Sequence, residues 1–212
     1  MNSHAVLTAM LPEHLLLLGI VLLLALLAVA ASAVAAASLS FAGYAAAPFA
    51  GHFSVDPATL LTKAVVLALA LPVLLMARAE FEGGEFPALL LSSLYGVCLM
   101  QSADSYLTLF LGLEILSIPV YVLVLLAYQR PQSAEAALKY LVLGGTATAM
   151  FLMGVSLLYG ASASMDIATF APALGSADPM TRAAVVLMIL SFFLKGAIVP
   201  FHSWAPDAYE AA

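Results

Sequence analysis

Two charged residues lie deep inside runs that are otherwise apolar: Glu114 in LTLFLGLEILSIPVYVLVLL and Lys195 in VVLMILSFFLKGAIVPFHSW. An ionised group in such surroundings needs a partner or water, and the chemistry open to an acid and a base held there is proton exchange. A carboxylate cut off from water favours its neutral form and a nearby ammonium restores its charge, so proton occupancy follows the distance between the two. The competing reading is a structural ion pair, or a hydrogen bond that joins two helices. Lys139, a few residues inside another apolar run, is a third candidate. Its long side chain can snorkel to the interface instead, and Glu135, four residues earlier, is a local partner on the same helical face. His202 follows Lys195 by seven residues and shares a helical face with it only if the helix continues through Pro200. Its near-neutral titration suits a relay, but beside Trp204 it equally suits a hydrogen bond at the membrane surface.

Prolines stand close to both central charges. Pro119 cannot donate to the carbonyl of Ile115, one residue beyond Glu114, and Pro200 cannot donate to that of Gly196, one residue beyond Lys195. Proline is common in membrane helices, so either coincidence alone says little. With Pro206 following in PFHSWAPD, the second predicts a helix interrupted within the membrane, a device that exposes backbone dipoles to an ion path.

The elements that must position these residues are membrane helices. The 212 residues are 65% hydrophobic and only 8% charged, against about 25% charged in soluble domains. Mean hydropathy is +1.12. The expected fold is all-α, a polytopic transmembrane bundle of six helices, or seven if the first run folds as two, with the last helix discontinuous near Pro200. A cleaved signal does not suit the long first apolar segment, because further spans follow it. The single cysteine, Cys98, excludes an internal disulfide or a cysteine-only metal cluster within the chain and reads as a space filler. No HExxH, phosphate-binding loop or dinucleotide fingerprint occurs, so no metal, flavin or nucleotide is expected. No basic patch with interleaved aromatics supports nucleic acid as a partner, and the formal charge of −6 arises mainly in loops and ends, including Glu80, Glu82 and Glu85.

After a short lead, residues 15–47 carry no charge and form either one long helix or two short ones turning near 31–34. GHFSVDP is a break, with Asp56 able to cap a helix that begins at Pro57. Spans are expected at 58–77, where Lys63 lies near one end and can snorkel, and at 86–102, 105–127, 135–159 and 181–204. The brief QSADS turn implies an antiparallel pair in contact, whereas 160–180 should lie outside the hydrocarbon. The glycines of KYLVLGGTATAM, with Thr146 and Thr148, offer a thin face for close helix packing. Arg78 and Arg130 place their loops on the cytoplasmic side, which puts Asp104 and 160–180 outside; Arg182 runs against this orientation.

FLGLEILSIPVYVLV followed by AEAALKYLVLGG, together with FFLKGAIVPFHSWAPDAYE, resembles the antiporter-like membrane subunits shared by respiratory NADH-quinone oxidoreductase (complex I), membrane hydrogenases and multisubunit cation/proton antiporters, with wording nearest the complex I branch. The likeness covers most of 85–212; residues 1–55 share only their apolar character. It implies a subunit of the bacterial-type inner membrane with no cofactor of its own, which moves protons while quinone is reduced elsewhere in the complex. Its partners would be other complex I membrane subunits, neighbouring antiporter-like ones included. Glu114 and Lys195 match the family's paired glutamate and lysine, Lys139 a further lysine on the route, and PFHSWAPD the broken helix. Separating the pair would weaken the lysine's hold on its proton and send it onward. Two departures stand out. The first two helices lack the usual polar break between them, and residues 56–212 would form only the first half of a two-half, roughly fourteen-helix bundle, which is not expected to translocate protons alone.

Overall fold

The computed structural model describes residues 11–77, 85–126 and 131–211. Arg78 and Arg130, on which the orientation rests, lie outside them, as do Glu80, Glu82 and the first ten residues of the lead. The chain forms two compact units, one of Met1–Ala45 and Val55–Leu94, the other of Ala46–Ser54 and Tyr95–Ala212.

In the first unit the uncharged run folds as one helix, α1 (Leu11–Phe41), of 31 residues. Alanine and leucine are strong helix formers, so nothing in the run favours a turn, and the helix extends to about 46 Å. It stops at Gly43, whose φ of +69° is open to glycine at little cost. There the Gly43 N–H bonds to the Ser40 carbonyl and the Tyr44 N–H to that of Leu39, both at 3.0 Å, the two bonds of a Schellman ending. Asp56 then starts α2 (Pro57–Ala77) as expected: its Oδ1 accepts from the Thr59 N–H at 2.6 Å. That bond holds the Asp56 carboxyl below the ordinary carboxylate range. The buried face of α1, Ala25, Val29, Ala33 and Ala36, is narrow and meets Leu60, Ala64, Leu67 and Leu74 of α2. Lys63 differs from expectation, because it lies on this buried face and is only 9% exposed. Its position, three residues after Leu60 and four before Leu67, turns it inward rather than toward the interface. The first ten residues of α3 (Glu85–Gln101) belong to the same unit, and the helix begins one residue before the span expected at 86–102.

The second unit opens with a feature the sequence pattern does not reveal. The end of the uncharged run and the GHFSVDP break together form a hairpin, β1 (Ala46–Phe49) and β2 (Phe53–Val55), with strands too short for alternation to mark them. A bridge from Phe53 to Ala103 ties it to the connection before α4, a second bridge from Ser105 to Asp166 joins that connection to the one after α5, and the Ser54 hydroxyl donates to Asp104 Oδ1 at 2.8 Å. Ser105 also caps α4 (Tyr106–Leu125) by accepting from the Thr108 N–H at 3.3 Å. Helices α3 and α4 make the expected direct contact. A Cβ on Gly96 would strike the α4 backbone at Gly112, Ile115 and Leu116, so only glycine permits this approach.

Next come α5 (Pro131–Ser162), a 3-10 turn at Ile167–Thr169, the short α6 (Phe170–Ala173), α7 (Pro179–Lys195) and α8 (Trp204–Ala211). Phe151, Val155 and Leu158 of α5 form the core with Ala184, Val185 and Met188 of α7, joined by Tyr106 and Ala173. The expected span at 181–204 is therefore two helices: the first ends at Lys195, and residues 196–203 form the break. Among the described residues, α1, α2, α4 and α5 are long and apolar enough to cross a membrane. The 17-residue α3 and α7 stand at the lower limit of about 17 residues for a span. The architecture is an all-α polytopic bundle with one small hairpin.

Candidate functional site

The second unit brings Glu114 and Lys195 together. Lys195 Nζ lies 3.1 Å from Glu114 Oε1, and the two side chains are 13% and 24% exposed. Glu114 projects from the middle of α4, and Lys195 is the last residue of α7. The ammonium also donates to Ser117 Oγ at 3.2 Å, while Ser117 donates to the Leu113 carbonyl at 2.6 Å. Thr148 of α5 donates to the same Glu114 oxygen at 2.6 Å. One carboxylate oxygen thus receives a hydroxyl and an ammonium from two different helices, both charge-assisted bonds.

The end of α7 is a second structural element of the site. Ala197 adopts φ +51°, the Ile198 N–H bonds to the Phe193 carbonyl at 2.9 Å and the Ala197 N–H to that of Leu194 at 3.3 Å. This is a Schellman ending with alanine, not glycine, in the left-handed position, so the local backbone is strained. The helix therefore ends at the residue that carries the ammonium. Trp204, at the start of α8, donates its indole N–H to the Leu194 carbonyl at 2.9 Å. Its ring stacks on Tyr140 of α5, with centroids 4.2 Å apart, and Tyr140 meets Tyr121 of α4 edge-on at 4.6 Å. Ser117, Tyr121, Tyr140, Gly144, Leu194, Lys195 and Trp204 enclose a cavity of about 30 Å³, enough for a water molecule beside the ammonium.

The other candidates lie elsewhere. Lys139 is on α5 and about half exposed; it pairs with Glu135 at 2.8 Å and with Asp207 of α8 at 2.7 Å. Pro119 is buried within α4, which continues through it. Pro200 lies in the break, which begins at Gly196, so the helix has already ended before the proline could disturb it. His202 is exposed in the same break and shares no helical face with Lys195, because no helix joins them. Among the described residues, no cluster of three His, Cys, Asp or Glu side chains is arranged to hold a metal.

The sequence pattern placed Thr148 in a packing face and Trp204 at the membrane surface, and it did not single out Ser117, Tyr121 or Tyr140. A periodic signal was present. Glu114, Ser117 and Tyr121 are spaced i, i+3, i+7, and Tyr140, Gly144 and Thr148 are spaced i, i+4, i+8, each set one face of a helix. The expected thin face is real at Gly144, where a Cβ would collide with the Tyr121 ring.

These features define the class: a polytopic helical membrane protein with a shielded acid–base pair at the end of a broken helix. The family profile described as NADH:quinone oxidoreductase/Mrp antiporter, transmembrane, matches residues 103–212, and the chain belongs to that family. The chain is 41% identical over 178 residues to NADH-quinone oxidoreductase subunit N of Desulfitobacterium hafniense, covering 81% of this chain and 36% of that protein. With subunit N of Pelobacter propionicus it shares 32% identity over 96% of its length and 47% of the relative's. Among solved structures, a chain of respiratory complex I from Thermus thermophilus with bound aureothin matches with a TM-score of 0.76 and 31% identity, over 97% of this chain and 46% of that one. The Mrp complex from a Dietzia species shares the fold, with a TM-score of 0.72 and 20% identity, over 99% of this chain and 44% of that one. The chain therefore spans between about a third and a half of the proteins it matches. The structural likeness also extends across the N-terminal region that, by sequence, shared only its apolar character.

Proposed function

We propose that this chain is a proton-translocating part of an NADH-quinone oxidoreductase, seated in a bacterial inner membrane among other complex I membrane subunits, and working without a cofactor of its own. The observation that carries the reading is the Glu114–Lys195 pair, shielded and 3.1 Å apart at the end of a broken helix. When Glu114 is near, the ammonium is held charged; when the carboxylate moves off, the lysine's proton passes to water in the adjoining cavity. Lys139 is the next station, and His202, exposed in the break, is a terminal acceptor at most. Quinone reduction elsewhere in the assembly supplies the driving force. The likeness to subunit N of two bacteria supports this reading over a cation/proton antiporter, whose likeness is one of fold.

The test is proton uptake per quinone reduced, measured in proteoliposomes that hold the assembled complex with Lys195→Ala or Glu114→Ala. Assembly is expected to survive while pumping falls sharply. Unchanged stoichiometry and turnover in both variants would refute the assignment.

A further inference from the structure

Helix α8 is only eight residues long, follows an irregular break and yet carries the tryptophan that holds the end of α7. Its seat on α5 is fixed at two consecutive residues. Lys139 takes Asp207 Oδ2 at 2.7 Å, and Tyr140 stacks on Trp204 with the ring planes 5° apart. Trp204 and Asp207 are three residues apart and so share a face of α8, while Ala205 and Ala208 pack with Ala136 and Ala137 of α5 and with Val124 of α4. From Trp204 the connection continues through the indole bond to Leu194, the residue before Lys195. Lys139 faces Glu135 from its own helix and Asp207 from α8, the ion pairs it makes among the described residues.

We propose that Asp207 is a positioning residue for Lys195: it latches α8 to Lys139 so that the Lys139 charge is felt, through Trp204, at the helix end that carries Lys195. Glu135 makes the latch reversible, since it keeps the ammonium paired at 2.8 Å when Asp207 lets go. Release of Asp207 lifts Trp204 from Tyr140, loosens its hold on the Leu194 carbonyl and shifts Lys195 against Glu114. The coupling rests on the relay reading above, but the seat of α8 is measured without any translocation.

Trp204 is the only tryptophan in the chain, so intrinsic fluorescence of the 212-residue chain in lipid nanodiscs reads that seat directly. Asp207→Asn is expected to red-shift the emission and to raise acrylamide quenching about twofold, as when seated and released positions become comparably populated. Asp207→Glu should restore both. Infrared titration of the Glu114 carboxyl, its band assigned with Glu114→Gln, should show about a tenfold change in proton affinity in Asp207→Asn, a shift of about one pH unit. Circular dichroism checks folding, and Lys139→Gln reads the same latch should Asp207→Asn lose helix content. Unchanged emission in a folded variant overturns the proposal, as does emission that shifts while the Glu114 titration stays fixed. Normal pumping by Glu114 variants, with the optical results as expected, would defeat the relay and leave the latch standing.

Discussion

Removing one partner of the central pair should cost at least as much as removing both. At 3.1 Å the attraction between unit charges is about 5 kcal/mol with an effective dielectric constant near 20. The one-quarter exposure of Glu114 admits some screening, which brings the expected coupling down to about 3 kcal/mol. Glu114→Gln strands the Lys195 ammonium, and Lys195→Met strands the carboxylate, so each single variant should be destabilised by about 3 kcal/mol. The double variant leaves no buried charge and should be no less stable than either single one. The assay is a double-mutant cycle on the chain in nanodiscs, with unfolding followed by circular dichroism. Stability losses that add to within about 0.5 kcal/mol would show that the two groups do not act as a pair and would undercut the proton-exchange argument built on them. All three variants should lose pumping in the assembled complex.

Thr148→Val keeps the shape of the side chain but removes the 2.6 Å donor to Glu114; a loss of about 1.5–3 kcal/mol is expected in the same unfolding assay. Gly144→Val drives a branched side chain into the Tyr121 ring and should destabilise the chain by about 1–3 kcal/mol, with altered tyrosine absorbance as the local signature. Ala197→Gly relieves a left-handed alanine and should stabilise by about 1 kcal/mol, read as a higher melting temperature. The Asp56 cap should depend on pH. Its carboxyl is lowered by the Thr59 N–H, so its contribution is complete above the unfolded carboxylate value near 4 and fades as pH falls through the lower folded value. Amide exchange at Thr59 and Leu60 should accelerate across that range, and Asp56→Ala should abolish the dependence.

Much of the fold was legible because lipid imposes a simple rule: long apolar runs become helices, and their charged residues require partners. Helix positions, the Asp56 start and the break beyond Lys195 follow from that rule and from residue chemistry. Glu114 and Lys195 were visible as anomalies, but their contact was not, since they lie 81 residues apart on different helices. The hairpin escaped notice because three- and four-residue strands have no periodic signature. Lys63 was misread because position along a helix does not reveal its buried face; that depends on the neighbour. Thr148 was misread for a related reason. A hydroxyl that reaches a carboxylate on another helix looks in sequence like any small packing residue.

The break in the last helix changes what the pair can do. In a continuous helix the carbonyls near Lys195 would be occupied by the next turn. With α7 ending at Lys195, the ammonium also donates to Ser117 Oγ at 3.2 Å. The indole N–H of Trp204 gives the Leu194 carbonyl a second donor beside the Ala197 N–H. The lysine is therefore held by the Glu114 carboxylate and by the Ser117 hydroxyl. In the relay proposed above, withdrawal of Glu114 would break the ion pair and leave the Ser117 bond in place. A lone buried ion pair costs about 3–5 kcal/mol when one partner is removed, so the proposed transfer requires a retained polar contact of this kind.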